Sequence, residues 1–190
     1  MLVEVLVGLR ASADYSFVGS TISDLGNTAC RTVRGDLLCS PGHPVMNPAF
    51  IWFGCTLALG ALLFARRHLP GRAGTTAVAL WCVSGAGSVG VGLVTVNENG
   101  ALHGLVALPI FLAQPLALAF MGRSLVASQP RLAHATTAVA ALSAIGVAAF
   151  VGTVAVDGSW AIGATERLAL WPGYVWVAVV ALTRARAQVR

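Results

Sequence analysis

Two imidazoles and two carboxylates, His43, His103, Asp24 and Glu166, are side chains whose types could together hold a metal ion. Imidazole nitrogen and carboxylate oxygen are ordinary zinc ligands, and a fourth position left to water would supply an activated nucleophile. Arg167, next to Glu166, has the planar donor fork that holds a phosphate or a developing oxyanion. Together these groups would perform metal-assisted hydrolysis of a lipid. The competing reading is structural: Ser23 and Asp24 cap a short helix, Glu166 pairs with Arg167 or Arg31, and the histidines bond loop carbonyls. Neither histidine stands in an HExxH-type motif and no CxxC pattern occurs, so no cofactor is expected, and zinc is the one to test. Ser23, His103 and Asp24 are also the types of a nucleophilic triad, but an adjacent Ser and Asp seldom point to one histidine and no nucleophile-elbow sequence surrounds Ser23.

The elements that must position these groups are apolar. The chain has 190 residues, 57% hydrophobic and 10% charged, with a mean hydropathy of +0.80, against about 25% charged in an ordinary soluble domain. This composition belongs to an integral membrane protein in a single domain, residues 1–190, without repeats or a low-complexity linker. Every one of the 12 basic residues is arginine. The net charge of +5 does not mark a nucleic-acid partner, because the arginines are scattered between apolar segments rather than clustered on one face among aromatics.

The expected architecture is an all-α transmembrane bundle of six helices, the first incomplete, over about residues 1–13 (partial), 50–65, 77–96, 102–121, 133–156 and 168–182. The apolar run Met1 to Leu9 reaches only about 14 Å as a helix, half of a bilayer core of about 30 Å. It reads as the end of a first spanning helix whose beginning is missing, or as a short interfacial helix. The longest polar stretch, Ile22 to Asn47, reads as an exposed loop after it. Asn47-Pro48 signals the start of the second helix and Pro70-Gly71 a break before the third.

Arginine placement orients the bundle. Connections holding Arg66, Arg67 and Arg72, then Arg123 and Arg131, and a tail with Arg184, Arg186 and Arg190, alternate with loops carrying Asp14, Asp24, Asp36, Glu98, Asp157 and Glu166. The positive-inside rule makes the arginine connections and the carboxyl terminus cytoplasmic and the Ile22–Asn47 loop extracytoplasmic. The expected location is the cell membrane of a prokaryote. Cys30 and Cys39, with eight residues between them in that loop, are expected to form a disulfide. Cys55 and Cys82 lie in helices and read as small packing residues. His68 and His134 flank cytoplasmic helix ends, where headgroups or helix carbonyls account for them.

Within the helices, Ser84, Ser88 and Gly92 recur at four-residue spacing in the third, which reads as the packing centre, since small residues let helices approach closely in lipid. Pro109 and Pro115 predict a kinked fourth helix, with Gln114 turned to the bundle interior and bonded to freed carbonyls. Trp52, Trp160, Trp171, Tyr174 and Trp176 read as an aromatic belt near the outer ends, with Trp81 nearer the inner side.

The blocks DYSFVGSTISDLGNTAC, CSPGHPVMNPAFIWFGCTLALGALL, NENGALHGLVALPIFLAQPLALAFMG and GATERLALWPGYVW, in this order, resemble the signature blocks of the prokaryotic membrane proteins grouped as domain-of-unknown-function family 998. The resemblance implies a six-helix membrane protein and carries no activity. A complete first helix would be expected of the family, so a truncated gene is the expectation for the start of this chain. The polar members of these blocks, Ser23, Asp24, His43, Asn47, Asn97, Glu98, His103, Glu166 and Arg167, then fall at one membrane face and outline a candidate outer pocket. The expected function is binding of a lipid or small amphiphile there, or service as an accessory subunit of a membrane complex. Metal-assisted lipid hydrolysis by His43, His103, Asp24 and Glu166 is the alternative. Transport fits less well, because no charged residue stands at mid-membrane and no matched pair of broken helices occurs. Membrane lipids, a membrane-protein partner or a second copy of the chain are the partners expected.

Overall fold

The computed structural model describes residues 1–12, 14–33, 36–156 and 159–188. Ala13, Asp157 and Arg190 lie outside the described residues. Six helices follow one another: α1 (Leu2–Gly8), α2 (His43–His68), α3 (Gly71–Leu93), α4 (Gly100–Leu125), α5 (Pro130–Ala155) and α6 (Ile162–Gln188). Four of them, α2 to α5, are long and apolar enough to cross a membrane.

Each long helix starts before its sequence-based bound, and α2, α4 and α6 also run past their expected ends, whereas α3 stops at Leu93 rather than residue 96 and α5 at Ala155 rather than residue 156. α2 starts at His43 rather than residue 50, with Pro44 in its first turn, where a missing amide costs nothing. Pro48 lies inside the helix rather than before it. Near its end, Ala61–Ala65 widens into a π-helical turn. Consecutive helices pack on one another from α2 through α6, and α6 also meets α4.

Three apolar clusters stack along the bundle. One, with Leu25, Met46, Val91, Ile110 and Leu170, lies at the end that carries the long loop; a middle one contains Trp81, Ala117 and Leu118; the third, with Leu69, Ala77, Met121, Leu125 and Ala133, closes the end where the arginine connections lie. We call these the loop end and the arginine end.

Glycines on α3 bring its neighbours close on two faces. A Cβ at Gly85 would stand 2.6 Å from the Gly54 carbonyl oxygen and one at Gly92 would stand 2.6 Å from that of Asn47, both on α2. Gly87 and Gly90 meet Val106 and Ile110 of α4 in the same way. Ser88 Oγ donates to the Phe50 carbonyl at 2.9 Å, and Ser84 Oγ lies 3.2 Å from the Tyr174 hydroxyl. Ser84, Ser88 and Gly92 thus stand where α3 meets α2 and α6.

α1 is a two-turn helix against the start of α2 and does not span. The stretch after it is not the exposed loop expected. Ile22, Asp24, Leu25, Asn27, Leu38 and Ser40 are buried, because Ile22 and Leu25 supply apolar surface to the loop-end cluster. A 3-10 turn covers Ser23–Gly26, followed by an antiparallel hairpin of β1 (Arg31–Val33) and β2 (Asp36–Leu38), with Arg31 opposite Leu38 and Val33 opposite Asp36. Cys30 and Cys39 continue this register and are joined by a disulfide. Ser12 accepts from and donates to the Cys39 backbone at 3.1 Å, and Ser40 Oγ donates to the Leu25 carbonyl at 2.6 Å. Replacing both cysteines by serine is expected to lower stability by about 2 to 3 kcal/mol, the loop-entropy value for a ring of this size; thermal unfolding with and without reductant checks it.

The aromatic belt is only partly realised. Trp52 and Trp160 project outward, 74% and 78% exposed. Trp81 is interior, and Trp171 and Trp176 spend their indole N–H groups on Glu4 and Thr136.

Candidate functional site

At the loop end the polar residues singled out in the sequence come together, but they fall into separate small sets rather than around one open pocket. The largest set is centred on Arg167. Its Nε donates to Glu4 Oε1 at 2.9 Å, its Nη1 to the carbonyls of Phe17, Ser20 and Gly163 at 2.6, 2.9 and 2.9 Å, and its Nη2 to the Tyr15 hydroxyl at 2.7 Å. The guanidinium also lies 5.2 Å from the Phe17 ring centroid. Trp171 Nε1 donates to the other Glu4 oxygen at 3.0 Å. Glu4 is 2% exposed, and the bidentate role of its carboxylate is what makes this burial tolerable. Burial also pushes the Tyr15 hydroxyl above its ordinary range, against the pull of Arg167, so Tyr15 stays protonated and accepts the Arg167 donor.

The segment from Tyr15 to Ile22 is thereby sewn to the start of α6. Glu166 accepts the Ile22 amide at 2.5 Å, and the Ala164 amide donates to the Val18 carbonyl at 3.0 Å. A Cβ on Gly163 would stand 2.0 Å from the Ser20 carbonyl oxygen, so only glycine fits that approach. The expected pairing of Glu166 with Arg167 or Arg31 is not what forms. Arg167 takes Glu4, and Glu166 takes a backbone amide.

A second set joins the turn between α3 and α4 to the loop. Asn97 Oδ1 accepts the Thr28 amide at 3.0 Å, Asn97 Nδ2 donates to Thr28 Oγ1 at 3.0 Å, and that hydroxyl donates to Glu98 at 3.2 Å. Asn47 Nδ2 donates to the Gly26 carbonyl at 2.9 Å, while its Oδ1 is buried without a partner. His43 Nδ1 lies 2.8 Å from the Ser40 carbonyl oxygen at the start of α2.

The third set is Ser23 with His103. His103 Nδ1 lies 2.6 Å from the Val94 carbonyl oxygen and Nε2 3.0 Å from Ser23 Oγ. Asp24 does not complete a triad: its carboxylate accepts from Thr21 N and Oγ1 at 2.9 and 2.7 Å, with Asn27 Nδ2 at 3.5 Å. Ser23 does not take the capping role expected of it; before the turn Thr21 and Asp24 bond reciprocally, the Asp24 amide donating to Thr21 Oγ1 at 3.1 Å and the Thr21 amide to the Asp24 carboxylate at 2.9 Å.

His43, His103, Asp24 and Glu166 do not converge. Among the described residues no three His, Cys, Asp or Glu side chains are placed to hold a metal ion. Gln114 turns inward as expected, fully buried, but donates to the Leu170 carbonyl of α6 at 2.7 Å, not to carbonyls freed by the α4 prolines. It marks a close helix contact, since a Cβ on Gly173 would lie 2.1 Å from its Nε2.

A cavity of about 450 Å3 lies elsewhere, in the arginine-end half of the bundle between α2 and α6. Phe53, Leu57, Ala61, Trp81, Met121, Tyr174 and Ala178 line it, and His68 and Arg184 stand at its polar end. None of the nine loop-end residues borders it. Its wall includes Ala61 and Ala65, the first and last residues of the π-helical turn, a distortion that often accompanies function.

Four helices of spanning length and apolar composition make this a membrane protein of several passes. It belongs to the family described as Protein of unknown function (DUF998), which matches residues 1–183 and thus α1, the loop and nearly all of the bundle. No curated protein and no solved structure matches the chain.

Proposed function

We propose that this protein binds the acyl chain of a membrane lipid, or an amphiphile of similar shape, in the cavity between α2 and α6. The observation that supports this is the cavity itself: about 450 Å3, walled by apolar and aromatic side chains, with Arg184 and His68 where a headgroup would lie. Its volume falls in the range of about 300 to 1,000 Å3 usual for small-ligand sites. Arg184 donates to Gln129 Oε1 on the connection before α5, which holds the guanidinium at this end of the bundle. An anionic or zwitterionic headgroup is the chemistry that such an arginine recognises. The positive-inside rule supports a cytoplasmic setting for this end, and on that reading the lipid is drawn from the inner leaflet.

Gly60 lines the cavity, and a Cβ added there meets nothing within 4 Å. Gly60→Trp therefore fills the cavity without disturbing the fold. Photocrosslinking with a diazirine-bearing phospholipid in vesicles is expected to label residues of α2 and α6 around Leu57 and Ala178 in the parent, and at least tenfold less in Gly60→Trp. Equal labelling of both proteins, or labelling confined to the outward faces of α4 and α5, overturns the proposal.

A further inference from the structure

The Ser23–His103 pair lies at the opposite end of the molecule from the cavity and sets a hydroxyl against an imidazole nitrogen. A carbonyl oxygen only accepts, so the 2.6 Å approach of His103 Nδ1 to the Val94 oxygen places a proton on Nδ1. In the neutral ring Nε2 is then a bare acceptor, and the Ser23 hydroxyl 3.0 Å away donates to it. This is the tautomer and the contact of a general base poised on a hydroxyl nucleophile. A backbone carbonyl fills the orienting place that a carboxylate holds in the usual triad. The base is deeply set, with His103 7% exposed, while Ser23 is only half-buried. Exposed leucines flank the pair in sequence, Leu93 beside Val94, and Leu102 and Leu105 beside His103. An apolar chain carried by the substrate would lie along these.

We propose that Ser23 is an acyl-accepting nucleophile activated by His103, acting on carboxylic esters of amphiphiles. Ser23 Oγ attacks the ester carbonyl carbon as its proton passes to His103 Nε2. The C–O bond to the alcohol breaks and that proton leaves with the alkoxide, giving acyl-Ser23 and a free alcohol. Water, deprotonated in turn by Nε2, attacks the acyl carbon; the C–Oγ bond breaks, Ser23 regains its proton from Nε2, and a carboxylic acid leaves.

The full chain in detergent micelles is treated with a fluorophosphonate and its intact mass measured. One adduct, mapping to Ser23, is expected in the parent and none in Ser23→Ala, with labelling at least tenfold slower in His103→Gln. Equal labelling of parent and Ser23→Ala overturns the proposal. A second measurement does not depend on the phosphonate fitting the site. At pH 7 the thiol of Ser23→Cys is expected to react with iodoacetamide about tenfold faster than the same thiol in Ser23→Cys/His103→Gln, because the imidazole takes its proton. Equal rates in two folded variants, each with the Cys30–Cys39 disulfide intact, leave the contact a purely structural one and sink the assignment.

Discussion

Arg167→Ala is expected to be the most damaging single side-chain truncation in this protein, with a loss of about 3 to 5 kcal/mol, the range for removing one partner of a buried ion pair. The guanidinium meets five acceptors contributed by α1, the Tyr15–Ser20 segment and α6 itself. Truncation strands the Glu4 carboxylate in an apolar setting and leaves the Phe17 and Ser20 carbonyls without their donor. Glu4→Gln should cost less, because the amide keeps one oxygen for the Arg167 Nε–H and holds the same volume, although its NH2 then faces the Trp171 indole N–H, a second donor. Arg167→Lys should resemble Arg167→Ala more than the parent, since one ammonium cannot reach acceptors spread over three segments. The order Arg167→Ala, Arg167→Lys, Glu4→Gln in decreasing loss is measured by thermal unfolding in detergent. Protease cleavage between residues 14 and 22 reports the release of the loop. Near-parent stability of Arg167→Ala would show that the network contributes little.

That network also marks the boundary of what the sequence discloses. Spanning helices are legible because lipid demands long apolar runs, and the match of Cys30 to Cys39 because both flank a short segment. The gathering of Ser23, His103, Asn97 and Glu166 at one end follows from alternating connections. Glu4 escapes because a lone carboxylate in a nine-residue, otherwise apolar run reads as the edge of a fragmentary helix. Its signal was the complementary one, a single arginine, Arg167, at the start of another apolar segment, for two opposite charges in apolar stretches are expected to seek each other. Burial of the Ile22–Asn47 stretch was hidden for a related reason. The three of its apolar residues that enter the loop-end cluster, Ile22, Leu25 and Met46, have no periodicity to announce a core face, yet they cap the bundle beside the short α1. The cavity is out of reach altogether, since it opens between α2 and α6, helices far apart in the chain, beside a π-helical turn that no residue in Ala61–Ala65 encodes by type.

Gly54→Ala is expected to loosen α2 from α3, by an amount set by backbone contact. A Cβ at Gly54 would lie 2.3 Å from the Gly85 carbonyl oxygen and 2.9 Å from the Val89 amide nitrogen, and neither can swing aside as a side chain would. The helices must separate, and overpacking of this kind costs about 1 to 3 kcal/mol. In lipid the loss is not recovered by a hydrophobic drive, because tails solvate the exposed faces as well as the partner helix does, and close packing is what holds the pair. Ser88 Oγ would also be drawn away from the Phe50 carbonyl, leaving a hydroxyl unpaired. Gly60→Ala, further along the same helix and facing open space, is the matched control. It adds the same methyl and the same gain in helix propensity, up to about 1 kcal/mol, without a clash. The two alanines are therefore expected to move the unfolding temperature in opposite directions, Gly54→Ala down and Gly60→Ala level or up. Parallel shifts would mean that α2 and α3 do not meet through Gly54 and Gly85, and that the cavity wall built on α2 is held by other contacts.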